Sequence, residues 1–247
     1  MTVLGGSKGR GEKAVTLATI TPLDAAEGLP HTIPYYLADR IKAGIIRWRY
    51  PPGSSLREAE LAAEFGASRG PVREALRILE LQGLVVHAPR RGFKVKAYTA
   101  DDLRQLYRLR TQLEGEVIDA LADKDVGPLT DALDRANEVM RTYAKGGDIE
   151  KYFAANIDFH QLMIDSTESS VLRTIMHQVN AMSLPIRYAL LRAEFSGRGD
   201  YDYHAKITQA LRKRDFKLAR KLTMEHIAAN VAGAAKVYAE ALSRIET

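Results

Sequence analysis

The sequence predicts a mainly α protein in two parts: three helices closed by a two-stranded hairpin, then an antiparallel all-α bundle. Three observations predict it. Apolar residues recur at helical spacing over most of the 247 residues. The period changes to two only between Leu84 and Lys96. The excess positive charge is confined to the first part, with 15 Lys and Arg against 9 Asp and Glu in residues 1–97 but 21 against 22 in the remainder. A basic module joined to a near-neutral one implies a polyanionic partner for the first alone.

Residues 1–30, with Gly5-Gly6-Ser7-Lys8-Gly9-Arg10-Gly11, have little periodicity and read as a flexible arm. From Pro34, suited to a first turn, Leu37, Ile41, Ile45 and Ile46 mark a helix that must stop at Pro51-Pro52-Gly53. A short helix follows from about Glu58, with Leu61, Ala62 and Phe65 on one side. Gly66-Ala67-Ser68 predicts a tight turn with Ser68 as cap of a third helix, whose buried stripe is Val72, Leu76 and Leu79 up to Gly83. Leu84–His87 and Phe93–Lys96 read as strands joined by Pro89-Arg90-Arg91-Gly92. Residues 31–97 are thus a winged helix-turn-helix with a two-stranded wing.

In such a motif the last helix meets the DNA major groove with its N-terminal end, here Ser68-Arg69-Gly70-Pro71-Val72-Arg73. Arg69 and Arg73 lie four apart and away from the buried stripe, so both can reach guanine edges or phosphates. Arg90, Arg91 and Lys94 place further positive charge on the wing.

The second part, residues 98–247, opens with Thr99-Ala100-Asp101-Asp102 as a capping sequence and continues as six or seven helices without a strand signal. A helix from Asp148 to Asp165 carries Asn156 and His160, four apart, on its apolar face, a chelating spacing. His204 shares a face with Ile207 and Leu211, and His226 with Ala219 and Leu222. One histidine on an apolar face is ordinarily a core residue; three, from three helices, point to a metal. With no Cys in the chain, a transition metal must be held by His, carboxylate or amide oxygen. Arg110 falls on the stripe Leu103, Leu106, Leu113 and Val117, where a guanidinium needs a partner, either Glu114 one turn on or an anionic ligand.

No run approaches the roughly 18 apolar residues of a membrane span, and Met1 to Ala25 lacks a signal-peptide core, so a cytoplasmic protein without a membrane partner is expected. Three His with an open position would also suit a catalytic zinc. Against an enzyme stands the lack of a general base or a His-Glu-x-x-His signature beside them.

Pro52-Gly53-Ser54-Ser55-Leu56-Arg57-Glu58, Leu61-Ala62, Gly66 through Leu76, Leu79-Glu80 and Gly83-Leu84 resemble the GntR family of transcription regulators over nearly the whole first part. The resemblance implies that Arg69 and Arg73 contact DNA, that Ser68 touches phosphate, and that Arg91 and Gly92 approach the minor groove. Gly70 stands where relatives often have Thr. The second part resembles the FadR-type effector domain, FCD, in which many relatives bind a metal through an Asp and three His. His160, His204 and His226 match by motif; the Asp position is Asn156 here, and Asp158 points to the opposite side of its helix. Resemblance also implies an effector-facing Arg110 in the Arg110-x-x-Leu113-Glu114 motif; Asn180, Arg187 and Tyr188 are further candidates for the pocket wall. The expectation is a homodimer on a pseudo-palindromic operator, controlled by a small anionic metabolite at a divalent metal, zinc first, with nickel and manganese as alternatives.

Overall fold

The computed structural model describes residues 32–90, 92–195 and 201–243; the arm expected over 1–30 and Arg91 lie outside the described residues. Helix α1 (Ile33–Ile46) starts with Pro34 in its first turn and buries Leu37, Ile41 and Ile45. A two-residue strand β1 (Ser55–Leu56) precedes α2 (Glu58–Phe65), which ends on Gly66 at φ 62°. Only Gly adopts that left-handed backbone without strain, which makes the sharp turn into α3 (Arg69–Leu81) possible. Ser68 occupies the N-cap of α3 in extended conformation, yet its hydroxyl makes no capping bond. The cap expected from sequence is therefore positional only.

Strands β2 (Val85–Ala88) and β3 (Gly92–Val95) form the expected hairpin, in register Val85 with Val95 and Ala88 with Gly92. The sheet has a third member. β1 pairs with β3, Ser55 opposite Lys94 and Leu56 opposite Phe93, giving the antiparallel order β1-β3-β2. The two-stranded wing is thereby corrected to three strands. Leu56, Phe93 and Val95 then close over the Leu37, Ile41, Leu76 and Leu79 core.

Six helices follow among the described residues: α4 (Ala100–Ala120), α5 (Gly127–Lys145), α6 (Ile149–Ser166), α7 (Ser170–Glu194), α8 (Tyr201–Arg212) and α9 (Phe216–Ser243). Thr99 and Asp102 form the reciprocal capping box that the sequence predicts at α4. Asp148 and Ser169 cap α6 and α7 with their side chains. α4 packs on α9 and α7, α5 on α6 and α8, α8 on α9, and α7 on α6 and α9. No helix among the described residues is long and apolar enough to cross a membrane.

The two parts meet along α7. Ile46 joins Phe153, Leu184 and Tyr188, and the Trp48 indole donates to the Pro185 carbonyl at 2.9 Å while its ring meets Tyr238 edge-on at 5.6 Å. Arg47 pairs with Glu150 at 3.1 Å, and Tyr98 bridges the seam by donating its amide to the Tyr238 hydroxyl and its hydroxyl to the Gly83 carbonyl. Gly83 has φ 75°, and a Cβ there would lie 2.9 Å from Met182 Cγ on α7. Gly83→Ala is expected to destabilise the protein by about 1–3 kcal/mol, the left-handed backbone accounting for most of it. Urea denaturation checks this; an unchanged midpoint would show that neither the left-handed backbone nor the approach of Met182 constrains this position.

Candidate functional site

α3 presents its first turn outward because Val72, Ala75, Leu76 and Leu79 are all buried on the opposite side. Ser68, Arg69, Gly70 and Arg73 are exposed. A Cβ at Gly70 would meet nothing within 4 Å, so the space a Thr would fill is open. Arg73 is not free: its guanidinium makes a forked pair with Glu58 at the start of α2, at 2.8 and 2.7 Å. That bond is the main reason the Glu58 carboxyl is held below its ordinary range. The pair fixes the direction of the Arg73 side chain. Sequence reasoning missed Glu58, because fifteen residues of separation leave no periodic signal. On the wing, Arg90 is exposed at φ 64° and Gly92 follows at 77°.

In the second part His160, His204 and His226 come from α6, α8 and α9 and are all buried. One ligating atom from each lies within 4.8 Å of the others. The His160 and His226 rings stack at 5.7 Å, and His204 meets His226 edge-on at 4.6 Å. Burial, joined by the neighbouring charges, pushes His226 down to about 3 and lowers His160 and His204 as well. All three are neutral at pH 7, the form that offers a lone pair to a metal.

His160 Nδ1 lies 3.3 Å from Glu114 Oε2, leaving Nε2 buried without a partner. A carboxylate behind one ring nitrogen and a bare nitrogen in front is the arrangement that orients a ligating histidine. Glu114 itself is fully buried on α4. Burial favours its neutral form, but His160, Arg110 and Arg187 outweigh that and keep it ionised. Arg110 donates to Glu114 at 3.0 Å, so the nearer of its two expected partners is present, yet its Nε–H remains buried and unpartnered. Sequence reasoning placed Glu114 beside Arg110 and missed its bond to His160.

Arg187 on α7 donates to Asn156 Oδ1 at 2.7 Å and lies over the Phe153 ring. Burial and the nearby Arg110 lower it to about 9, still charged at neutral pH. Asn156 is half-buried, with Nδ2 3.3 Å from His204 Nε2. Asn180 lies two turns before Arg187 with Oδ1 buried and unpartnered, as are the Tyr107 and Thr223 hydroxyls, which sequence reasoning did not single out. Tyr188 faces the other way, its ring on Phe153 and its hydroxyl on Glu150, at the seam with α1. Asp158, two residues from His160, is outside the histidine cluster, and burial raises its carboxyl to about 7.

Residues 36–95 match the profile of the bacterial regulatory proteins of the gntR family, and residues 105–229 match the FCD domain. The chain belongs to the GntR family, in the branch that carries an FCD domain. This GntR protein is 30% identical over 200 residues to the probable D-xylose utilization operon transcriptional repressor of Paenarthrobacter nicotinovorans, covering 80% of this chain and 87% of that one. It is 29% identical over 190 residues to the gluconate operon transcriptional repressor of Bacillus subtilis, covering 74% and 75%. Its fold is that of Escherichia coli McbR/YncC, with a TM-score of 0.74 at 21% identity over 84% of this chain and 99% of that one. It is a DNA-binding transcriptional regulator, not an enzyme.

Two outcomes follow from this geometry. Arg69→Ala and Arg73→Ala should each cost about 1–3 kcal/mol of operator binding if the side chain makes a bidentate base contact. Fluorescence anisotropy with operator DNA checks it, and unaltered affinity in both variants would remove α3 from the interface. The second outcome concerns pH. In the unfolded chain the three imidazoles protonate near pH 6.5, whereas in the fold they resist protonation down to about 3 for His226. Between these values the unfolded state binds more protons, so the stability of metal-free protein should fall as the pH drops through 6.5. His226→Gln should flatten that fall in urea titrations at pH 7 and 5; a wild-type midpoint indifferent to pH would contradict the buried, neutral imidazoles.

Proposed function

We propose that this GntR/FCD protein is a homodimeric regulator whose hold on a pseudo-palindromic operator is set by a small anionic metabolite at a histidine-bound divalent metal. Residues 31–97 form the DNA-reading unit and residues 98–247 the sensing and dimerising unit, joined at Tyr98. Arg69 and Arg73 read bases, Ser68 and the backbone at Gly70 meet phosphate, and Arg90, Arg91 and Gly92 carry the wing to the neighbouring groove. Two copies related by a two-fold axis would place two such units on matching half-sites.

The observation that carries the sensing half of this reading is the histidine cluster: three neutral, buried imidazoles, one of them backed by a carboxylate and left with a bare nitrogen. Buried polar atoms without partners are rare in a stable core. The nitrogen donors fit zinc, with nickel and manganese as alternatives. His160, His204 and His226 would hold the ion, with Asn156 beside them, and the ion would offer an anion a concentrated positive charge. Arg110, with its spare Nε–H, and Arg187 would grip the remainder of that anion, with Asn180 on the wall. Two guanidiniums against the single carboxylate of Glu114 favour a carboxylate-bearing ligand. The relative named for a gluconate operon supports a sugar acid as its class.

Purified protein should carry a stoichiometric divalent metal by elemental analysis. His204→Ala should abolish that content and the effector response while leaving operator binding without effector intact. Normal metal content in His204→Ala, or a full effector response after chelation, would place the sensing site elsewhere.

A further inference from the structure

The Asn156 amide is held at both ends, and the two ends serve different ligands. Arg187 has only donors, so the amide oxygen must be the atom that faces it at 2.7 Å. The amide NH2 therefore faces His204 Nε2 at 3.3 Å, which makes that nitrogen the bare, accepting one. The ring proton then sits on Nδ1, which is buried without an acceptor. In this arrangement His204 has no lone pair to spare: one nitrogen is protonated and the other already accepts from Asn156.

His204 can become a ligand in two ways, and both turn the amide around. If Nε2 ligates, the NH2 group must leave it and the oxygen can take its place. If Nδ1 ligates, its proton moves to Nε2, which then needs an acceptor, and the amide oxygen is the atom at hand. Either reversal points NH2 at Arg187, donor against donor. A half-buried guanidinium stripped of its acceptor requires an anion in exchange.

We infer that Asn156 is a two-position coupler that makes metal capture by His204 and oxyanion capture by Arg187 promote one another. An anion on Arg187 releases the amide oxygen to the histidine side, and the amide's reversal towards His204 exposes Arg187 to an anion. The linkage is reciprocal by thermodynamic necessity. An Asp at this position would not behave so, because a carboxylate has an acceptor for each side at once. The substitution of amide for carboxylate thus turns two independent subsites into a conditional pair selecting an oxyanion: carboxylate, sulfate or phosphate.

This inference rests on the metal reading above, and one experiment separates the two. Full-length, metal-stripped protein is titrated with cobalt(II), followed by visible absorption, with and without sulfate at constant ionic strength. For the wild type, sulfate should tighten cobalt binding by about fivefold or more, the usual lower range of coupling between sites, and cobalt should tighten sulfate binding by the same factor in calorimetry. In Asn156→Ala that factor should shrink and metal-free sulfate binding should strengthen, since Arg187 is already released. Asn156→Asp, which still accepts from Arg187 and can accept from His204 once the ring proton moves to Nε2, should bind cobalt more tightly and also lose the coupling. Equal factors in all three proteins would overturn the coupler while leaving the metal site standing. Failure of the wild type to bind cobalt would overturn both.

Discussion

The second half of the molecule is organised around one carboxylate that no water reaches. Glu114 is fully buried, and an ionised group in that setting is tolerated only when every lone pair meets a donor or a cation. Arg110 from the same helix and His160 from α6 meet its two oxygens, and Arg187 from α7 adds its field. Three helices are thereby committed to one point. Because the cations outnumber the anion, the interior keeps positive charge and orphaned donors.

The same helix that brings Arg187 to this point forms the floor of the DNA-binding half. Pro185 interrupts the α7 ladder, since it has no N–H for the carbonyl one turn back, and its own carbonyl receives the Trp48 indole. Trp48 holds a left-handed backbone at φ 60°, a conformation that a bulky residue keeps only where its surroundings demand it. Leu184 and Tyr188 touch Ile46 at the end of α1, and α1 packs on α3. Arg187 and this seam are separated by a single turn of one helix, so the contact path from Arg187 to α3 is short and made of close-packed groups.

The first half of the molecule shows the same economy. Arg73 is exposed but held in one direction by a forked bond to Glu58, which removes much of the freedom of a long side chain. The turn that separates their helices depends on the left-handed Gly66. A third strand, β1, anchors the wing from the opposite side to β2, which steadies Arg90 and Gly92 at the tip.

Much of this was legible in the sequence. Helix starts, the Thr99–Asp102 box, the hairpin and the inward faces of His160, His204 and His226 follow from spacing and capping, which act within a turn or two of chain and leave a periodic trace. Strand β1 left none, because two residues have no period and Ser55–Leu56 becomes a strand only by meeting β3. Ser68 was recognisable as the N-cap, but whether its hydroxyl makes the bond depends on a rotamer that the sequence does not specify. The Glu58–Arg73 and Glu114–His160 pairs span 15 and 46 residues, and the packing of helices chose them. Asn156 is the sharpest case. Its residue type says that it has one donor end and one acceptor end; only the tertiary placement of Arg187 and His204 on either side decides which end faces which, because hydrogen-bond direction is set by partners and not by position in the chain.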